Sequence, residues 1–200
     1  MGSPKTSIFQ LKGAGDALEK LLKDYSFDTV LDIGCGKGQH TKILREHGKQ
    51  VTATDYHARF KHVVEGLYHN LKFEPHDVTW ASHVLEHQLN VNEFLTKMRR
   101  ETKIGGWCVI TVPPPKKYVV GGHVTVWNAG LLMYNLVLAG FDCRNCSIKK
   151  YGYNISIFAQ ASAFDLPKLN FYTGDITLLK PWLPEFCDEG FSGDIDEWNW

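Results

Sequence analysis

The chain has 200 residues, 44% of them hydrophobic and 22% charged, enough for one globular domain with a substantial core and no need of a second. Twenty-two basic and 22 acidic side chains balance to a formal net charge of zero, so the basic excess of an extended nucleic-acid footprint is absent. Five scattered cysteines do not make a disulfide scaffold and point to a reducing, cytoplasmic setting, and no apolar run reaches membrane-spanning length.

In chain order, Ala17, Leu18, Leu21 and Leu22 recur at helical spacing and predict a leading helix over residues 13–24. A buried strand follows from Val30 and breaks at Ile33 into three alternating glycines, Gly34, Gly36 and Gly38, just before a helical pattern that runs from Gly38 to His47. Glycines there permit positive φ and close approach of a ligand, and the helix N-terminus offers unpaired N–H groups, so the turn is expected to cradle a cofactor with Asp32 adding a carboxylate. A second strand, Gln50–Thr54, ends in Asp55, placed where a carboxylate can accept both hydroxyls of a ribose. The glycine spacing is GxGxG rather than the dinucleotide GxGxxG, and Asp32 beside it favours a cationic ligand, such as a sulfonium carrying an ammonium group, over a diphosphate.

Further strands are expected at His76–Ala81 and Ile104–Val112, with an amphipathic helix from Val91 to Thr102 between them. Pro113–Pro115 with Lys116 and Lys117, then Gly121, Gly122 and His123, form a stiff exit followed by a hinge, which resembles a lid. A helix from Asn128 to Ala139, ended by Gly140, leads into a closing antiparallel hairpin of Phe141–Lys150 and Asn154–Gln160. Cys143 and Cys146 stand alone as a CxxC with no second pair and read as structural. Beyond Phe164 periodicity fades. Residues 161–200 carry eight Asp or Glu against two Lys, yet hold too many aromatic residues for an idle disordered segment. They are read as an extension covering their own domain, with a homodimer or partner-binding arm as the alternative.

Four segments together resemble the class I S-adenosylmethionine-dependent methyltransferases, in particular the type 11 small-molecule subgroup. Thr29–Gly38 resembles the first motif, Val51–Tyr56 the second strand with its ribose acid, and His76–His87 the fourth strand and its loop, followed by Ile104–Pro113 as the fifth. The resemblance covers residues 25–160 and implies an α/β, Rossmann-like, mostly parallel sheet with a C-terminal antiparallel hairpin. It divides the chain into a methyltransferase domain at 1–160, including the leading helix, and an acidic, aromatic-rich extension at 161–200. It implies S-adenosyl-L-methionine as cofactor, held by Asp32, Gly34, Cys35, Gly36, Gly38, Asp55, Tyr56, Ser82 and His83. The activity it implies is methyl transfer to O or N of a small molecule, such as a sugar or a phosphorylated metabolite. The alternatives are a degenerate cofactor-binding scaffold without turnover and a nucleic-acid methyltransferase. Only 21 residues separate Asp55 from Asp77, so the fold is expected to be abbreviated around its third strand. A helix over Ala58–Tyr68 and a short extended Leu71–Glu74 would use nearly all of that length. Glu74, His76 or Asp77 would then stand in for the usual adenine-binding acid, although Asp77 also suits the start of the fourth strand.

Methyl transfer asks the protein mainly to position the acceptor and to remove its proton. The candidate catalytic residues are His123 as general base, with His83 and His87 on the loop after the fourth strand. Ser82–His87 contains HxxEH, which would put His83 and His87 on one helical face in the manner of a zinc motif. A zinc reading needs a third ligand on a following helix, and the resemblance puts these residues in the loop after the fourth strand, so no metal site is expected.

Overall fold

The computed structural model describes Leu11 and residues 13–200. Its centre is an eight-stranded sheet in the order β3-β2-β1-β4-β5-β7-β6-β8. The strands are β1 (Thr29–Ile33), β2 (Gln50–Asp55), β3 (Val63–Glu65), β4 (His76–Ser82), β5 (Thr102–Val112), β6 (Phe141–Tyr151), β7 (Asn154–Ala161) and β8 (Glu197–Trp198). The first five run parallel, β7 runs antiparallel between β5 and β6, and β8 pairs antiparallel with β6.

Alternation along the strands feeds two cores. Val30, Val78, Trp80, Val109 and Phe158 point to one face, where α1 (Gly15–Asp24) and α2 (Gln39–Glu46) bury Ala17, Leu18, Leu21, Ile43 and Leu44. Leu31, Ile33, Ala81, Ile110, Val112 and Ile157 point to the other, against α3 (Val91–Arg100) and α4 (Ala129–Leu138). With helices on both faces the central strands are buried almost throughout, which is why β1 reads as a continuous apolar run rather than as an alternation. The sheet order reverses direction at β1, whose neighbours are β2 and β4, so the crevice for a ligand opens beyond the carboxyl ends of these strands.

The expected helix over Ala58–Tyr68 does not form. The β-branched pair Val63–Val64 instead extends the sheet as β3, in register with Ala53 and Thr54. The edge is fixed by Thr54 Oγ1 donating to the Val64 carbonyl at 2.8 Å, and by Ala58 N–H donating to Glu65 at 3.0 Å. Leu71–Glu74 forms no strand; a single 3-10 turn, Tyr68–Asn70, precedes it. No α-helix separates β2 from β3 or β3 from β4, so the fold is abbreviated here. Helix α3 stops at Arg100, and Thr102 already belongs to β5.

Residues 161–200 extend the sheet and cover the core. Trp182, Phe186, Phe191 and Trp198 pack beside the α4 side, while Trp200 meets the Phe158 ring at 5.6 Å on the other face. A short helix, α5 (Asp175–Leu179), is anchored by the fully buried Asp175 carboxylate, which accepts from the Asn170 and Phe171 amides. Among the described residues no helix is long and apolar enough to cross a membrane.

Candidate functional site

The three glycines of the first motif all adopt positive φ, and two lack room for a side chain. A Cβ on Gly34 would stand 2.4 Å from Val84 Cγ2, and one on Gly38 would stand 2.5 Å from the Phe60 ring. Asp55 braces this turn: its Oδ2 accepts from Gly36 N–H at 2.8 Å, and its Oδ1 accepts from His57 N–H at 3.0 Å. A carboxylate has about four acceptor positions, so two remain for a ligand's hydroxyls. The two motifs read separately in the sequence are therefore one unit.

Beyond the strand ends lies a cavity of about 510 Å³ lined by Gly34, Asp55, Tyr56, Arg59, Tyr68, His83, His87, Gln88 and neighbours. Of the expected cofactor residues, Gly34, Asp55, Tyr56 and His83 stand in its wall. Asp32, Cys35, Gly36, Gly38 and Ser82 do not line it. Asp32 is almost completely buried and accepts from Thr41 Oγ1 at 2.5 Å. Burial pushes its carboxyl above the ordinary value, against the pull of His40 and the Thr41 hydrogen bond. It ties β1 to α2. Cys35 is pushed up to about 12 by burial and by the Asp32 and Asp55 carboxylates, so it stays a thiol.

The stand-ins expected for the adenine acid are at the wrong end of the sheet. His76 and Asp77 open β4 at its amino edge, where His76 bonds Thr52 Oγ1 at 2.9 Å and Asp77 accepts from Thr29 and Lys103. Glu74 lines a separate surface depression with Lys72 and Arg100. The cavity wall offers Tyr68, Gln88 and Phe94 instead. Gln88 spends its Nε2 donor on the Val84 carbonyl at 3.0 Å, leaving its own carbonyl oxygen to accept. Nothing local in the sequence marks Arg59, Tyr68 or Gln88 as wall residues.

The HxxEH segment is not an α-helix. His83 takes a left-handed φ of 56°, and Leu85–His87 make one 3-10 turn. His83 is gripped at both ring nitrogens, Nδ1 by Glu86 Oε1 at 3.2 Å and Nε2 by Asn154 Oδ1 at 2.9 Å. Asn154 Oδ1 also accepts from Ala14 N–H, and its Nδ2 donates to the Tyr151 carbonyl, which fixes it as an acceptor towards His83. Burial pulls the His83 pKa down, but these two hydrogen bonds and the Glu86 charge outweigh it and raise it above the ordinary value. Both ring nitrogens thus face acceptors within the protein, which holds the ring in place at the cavity wall.

A second cavity of about 200 Å³ lies under the lid, lined by Pro113–Val120, His123, Trp127 and Tyr153 among others. Lys116 Nζ sits 4.1 Å from the Tyr153 ring centre, and the buried Trp127 donates its indole N–H to Thr125 at 2.9 Å. The lid is stitched to the loop after β4. Val124 N–H donates to the Glu86 carbonyl at 2.8 Å, and His87 Nδ1 donates to the Gly122 carbonyl at 2.7 Å. This places the His87 and His123 rings 5.1 Å apart, one in the wall of each cavity.

Residues 31–110 match the methyltransferase domain family. A curated relative, the malonyl-[acyl-carrier protein] O-methyltransferase of Salmonella typhimurium, is 29% identical over 110 residues, covering 49% of this chain and 44% of that protein. The chain thus spans less than half of that relative. The fold is that of a SAM-dependent methyltransferase from Archaeoglobus fulgidus, at TM-score 0.61 and 18% identity over 72% of this chain and 92% of that one. The Burkholderia thailandensis 1,6-didemethyltoxoflavin-N1-methyltransferase, solved with its substrate and S-adenosylhomocysteine, superposes at TM-score 0.57 and 19% identity, over 68% of this chain and 71% of that one.

Proposed function

We propose that this chain is a class I S-adenosylmethionine-dependent methyltransferase that methylates an oxygen or nitrogen of a small molecule. The observation that carries the proposal is the contact of His87, in the wall of the cavity lined by Gly34 and Asp55, with His123, in the wall of the cavity lined by Pro113–Val120, their rings 5.1 Å apart. The first cavity suits S-adenosylmethionine: Gly34 admits backbone approach, Asp55 keeps acceptor capacity for ribose hydroxyls, and Tyr68, Phe94 and the Gln88 carbonyl suit an adenine with its amino group. When bound, this cofactor supplies an activated methyl on a sulfonium.

The chain's own contribution is placement and proton removal. Pro113–Pro115 and Trp127 make a stiff frame under the lid, and Tyr153 offers a ring face to a cyclic acceptor such as a sugar. Lys116 and Lys117 give the same cavity a positive rim for a phosphorylated or acidic acceptor. The acceptor's proton is relieved at the His87–His123 pair, while His83 and Glu86 hold that pair's loop in place.

The test is calorimetric titration with S-adenosylmethionine and S-adenosylhomocysteine of the intact protein and of Asp55→Ala, with circular dichroism to check folding. Binding by the intact protein, weakened by about 10- to 150-fold in the variant through loss of charge-assisted hydrogen bonds worth about 1.5–3 kcal/mol, is the expected outcome. Absence of binding to the intact protein overturns the reading.

A further inference from the structure

We propose that Glu86, His87 and His123 form a binding site for a divalent transition-metal ion, with His87 in the wall of the cofactor cavity and His123 in that of the lid cavity. One ligand-capable atom from each of the three lies within 4.8 Å of the others. The Glu86 carboxylate is 1% exposed, and only one of its oxygens is served. Oε1 meets His83, whereas Oε2 is buried with no hydrogen-bond partner. A buried carboxylate oxygen left bare is costly, and a cation is the group that would relieve it.

The histidines are arranged as ligands usually are. His87 donates Nδ1–H to the Gly122 carbonyl, which leaves the lone pair on Nε2, 3.8 Å from Glu86 Oε1. A ligating histidine held from behind by a backbone carbonyl is the common arrangement around metals. His123 follows Gly121 and Gly122, the latter at φ 82°, on the lid that is bonded to Glu86 through Val124. Ligand atoms around one ion at bonds of about 2.1 Å lie about 3–4 Å apart, so the trio needs to close by about an ångström, a movement within reach of this glycine hinge.

Two imidazoles and one carboxylate select a transition metal such as Zn²⁺, Co²⁺ or Mn²⁺ over Mg²⁺ or Ca²⁺, which favour all-oxygen sets. Three protein ligands leave coordination positions open, as catalytic rather than structural sites do. Those positions sit where the acceptor is placed in the methyl-transfer reading, and on that reading the acceptor class is one presenting two adjacent oxygens that chelate, such as a vicinal diol or a catechol. With an ion bound, His87 and His123 would reach the acceptor as its ligands, and the ion would lower the pKa of a coordinated hydroxyl so that its proton passes to solvent; without the ion the pair takes that proton itself.

The experiment is titration of the metal-free full chain with Co²⁺, followed by visible absorption, and competition with Zn²⁺. One equivalent of Co²⁺ is expected to bind with a d–d spectrum, and Glu86→Gln and His123→Ala each to weaken it by more than about 100-fold. His123 lies on the lid, so its variant tests the site even if Glu86→Gln fails to fold. No saturable Co²⁺ spectrum, or one undiminished in His123→Ala, overturns the site. A Co²⁺ spectrum that catechol does not shift overturns the chelated acceptor. Calorimetry with S-adenosylmethionine on the metal-free protein reports separately on the methyltransferase reading.

Discussion

Gly34→Ala tests the cradle most directly, because both of its costs can be read from the coordinates. The position has φ 69° and its amide donates to the Thr54 carbonyl at 2.8 Å, so the turn is tied to β2 and does not relax freely. A side chain in this left-handed region costs about 1–2 kcal/mol. The new methyl also stands 2.4 Å from Val84 Cγ2 and 3.3 Å from Cγ1, an overpacking of the kind that costs about 1–3 kcal/mol. The single variant should therefore lose about 2–5 kcal/mol. Val84→Ala removes both γ carbons and leaves a Cβ at 3.4 Å, an ordinary contact. In that background Gly34→Ala should cost only the backbone part, about 1–2 kcal/mol. Urea denaturation of the four proteins in a double-mutant cycle gives the coupling directly. Costs that add to within about 0.5 kcal/mol would refute the claim that Val84 closes the space over the turn.

Two other expectations concern protonation. Asp77 is partly buried, which alone would raise its pKa, but Lys103 and donors from Thr29 and Asp28 hold it well below the usual carboxylate range. A depressed folded pKa contributes stability that is present above the unfolded value of about 4 and lost as pH falls below it. Asp77→Asn should thus cost about 1–2 kcal/mol at pH 7 and progressively less as pH falls from about 4 towards the lower folded pKa, and an undiminished cost at pH 2 would contradict the assignment. Cys35 is only half-buried, yet with its thiol pushed up to about 12 it should react with a disulfide reagent at pH 8 far more slowly than in the unfolded chain. Labelling of Cys35 at the unfolded rate would show that its carboxylate neighbours do not act on it.

Much of the fold is written locally. The helix periodicities around Leu18, Ile43, Leu95 and Leu132 and the strand that breaks at Gly34 follow from short-range spacing. All four main helices begin and end within two residues of where that spacing puts them. The third strand was not legible because three residues at a sheet edge carry no periodicity, and Val63–Val64 are strand-like only beside Ala53 and Thr54. HxxEH was misleading for a related reason: histidine spacing suits a helix, but His83 turns left-handed to reach Asn154 on β7.

What the sequence by itself determined is the order of elements, the glycine turn and the acid that ends β2, since these depend on residues close along the chain. The tertiary structure alone decided that Asp55 braces Gly36, that Trp198 closes the sheet through β8, and that Glu86 meets His123 across the lid. Such contacts come from strand pairing and loop closure between distant segments. Their partners are chosen by the burial of the whole sheet, and no local pattern encodes which loops that burial brings together.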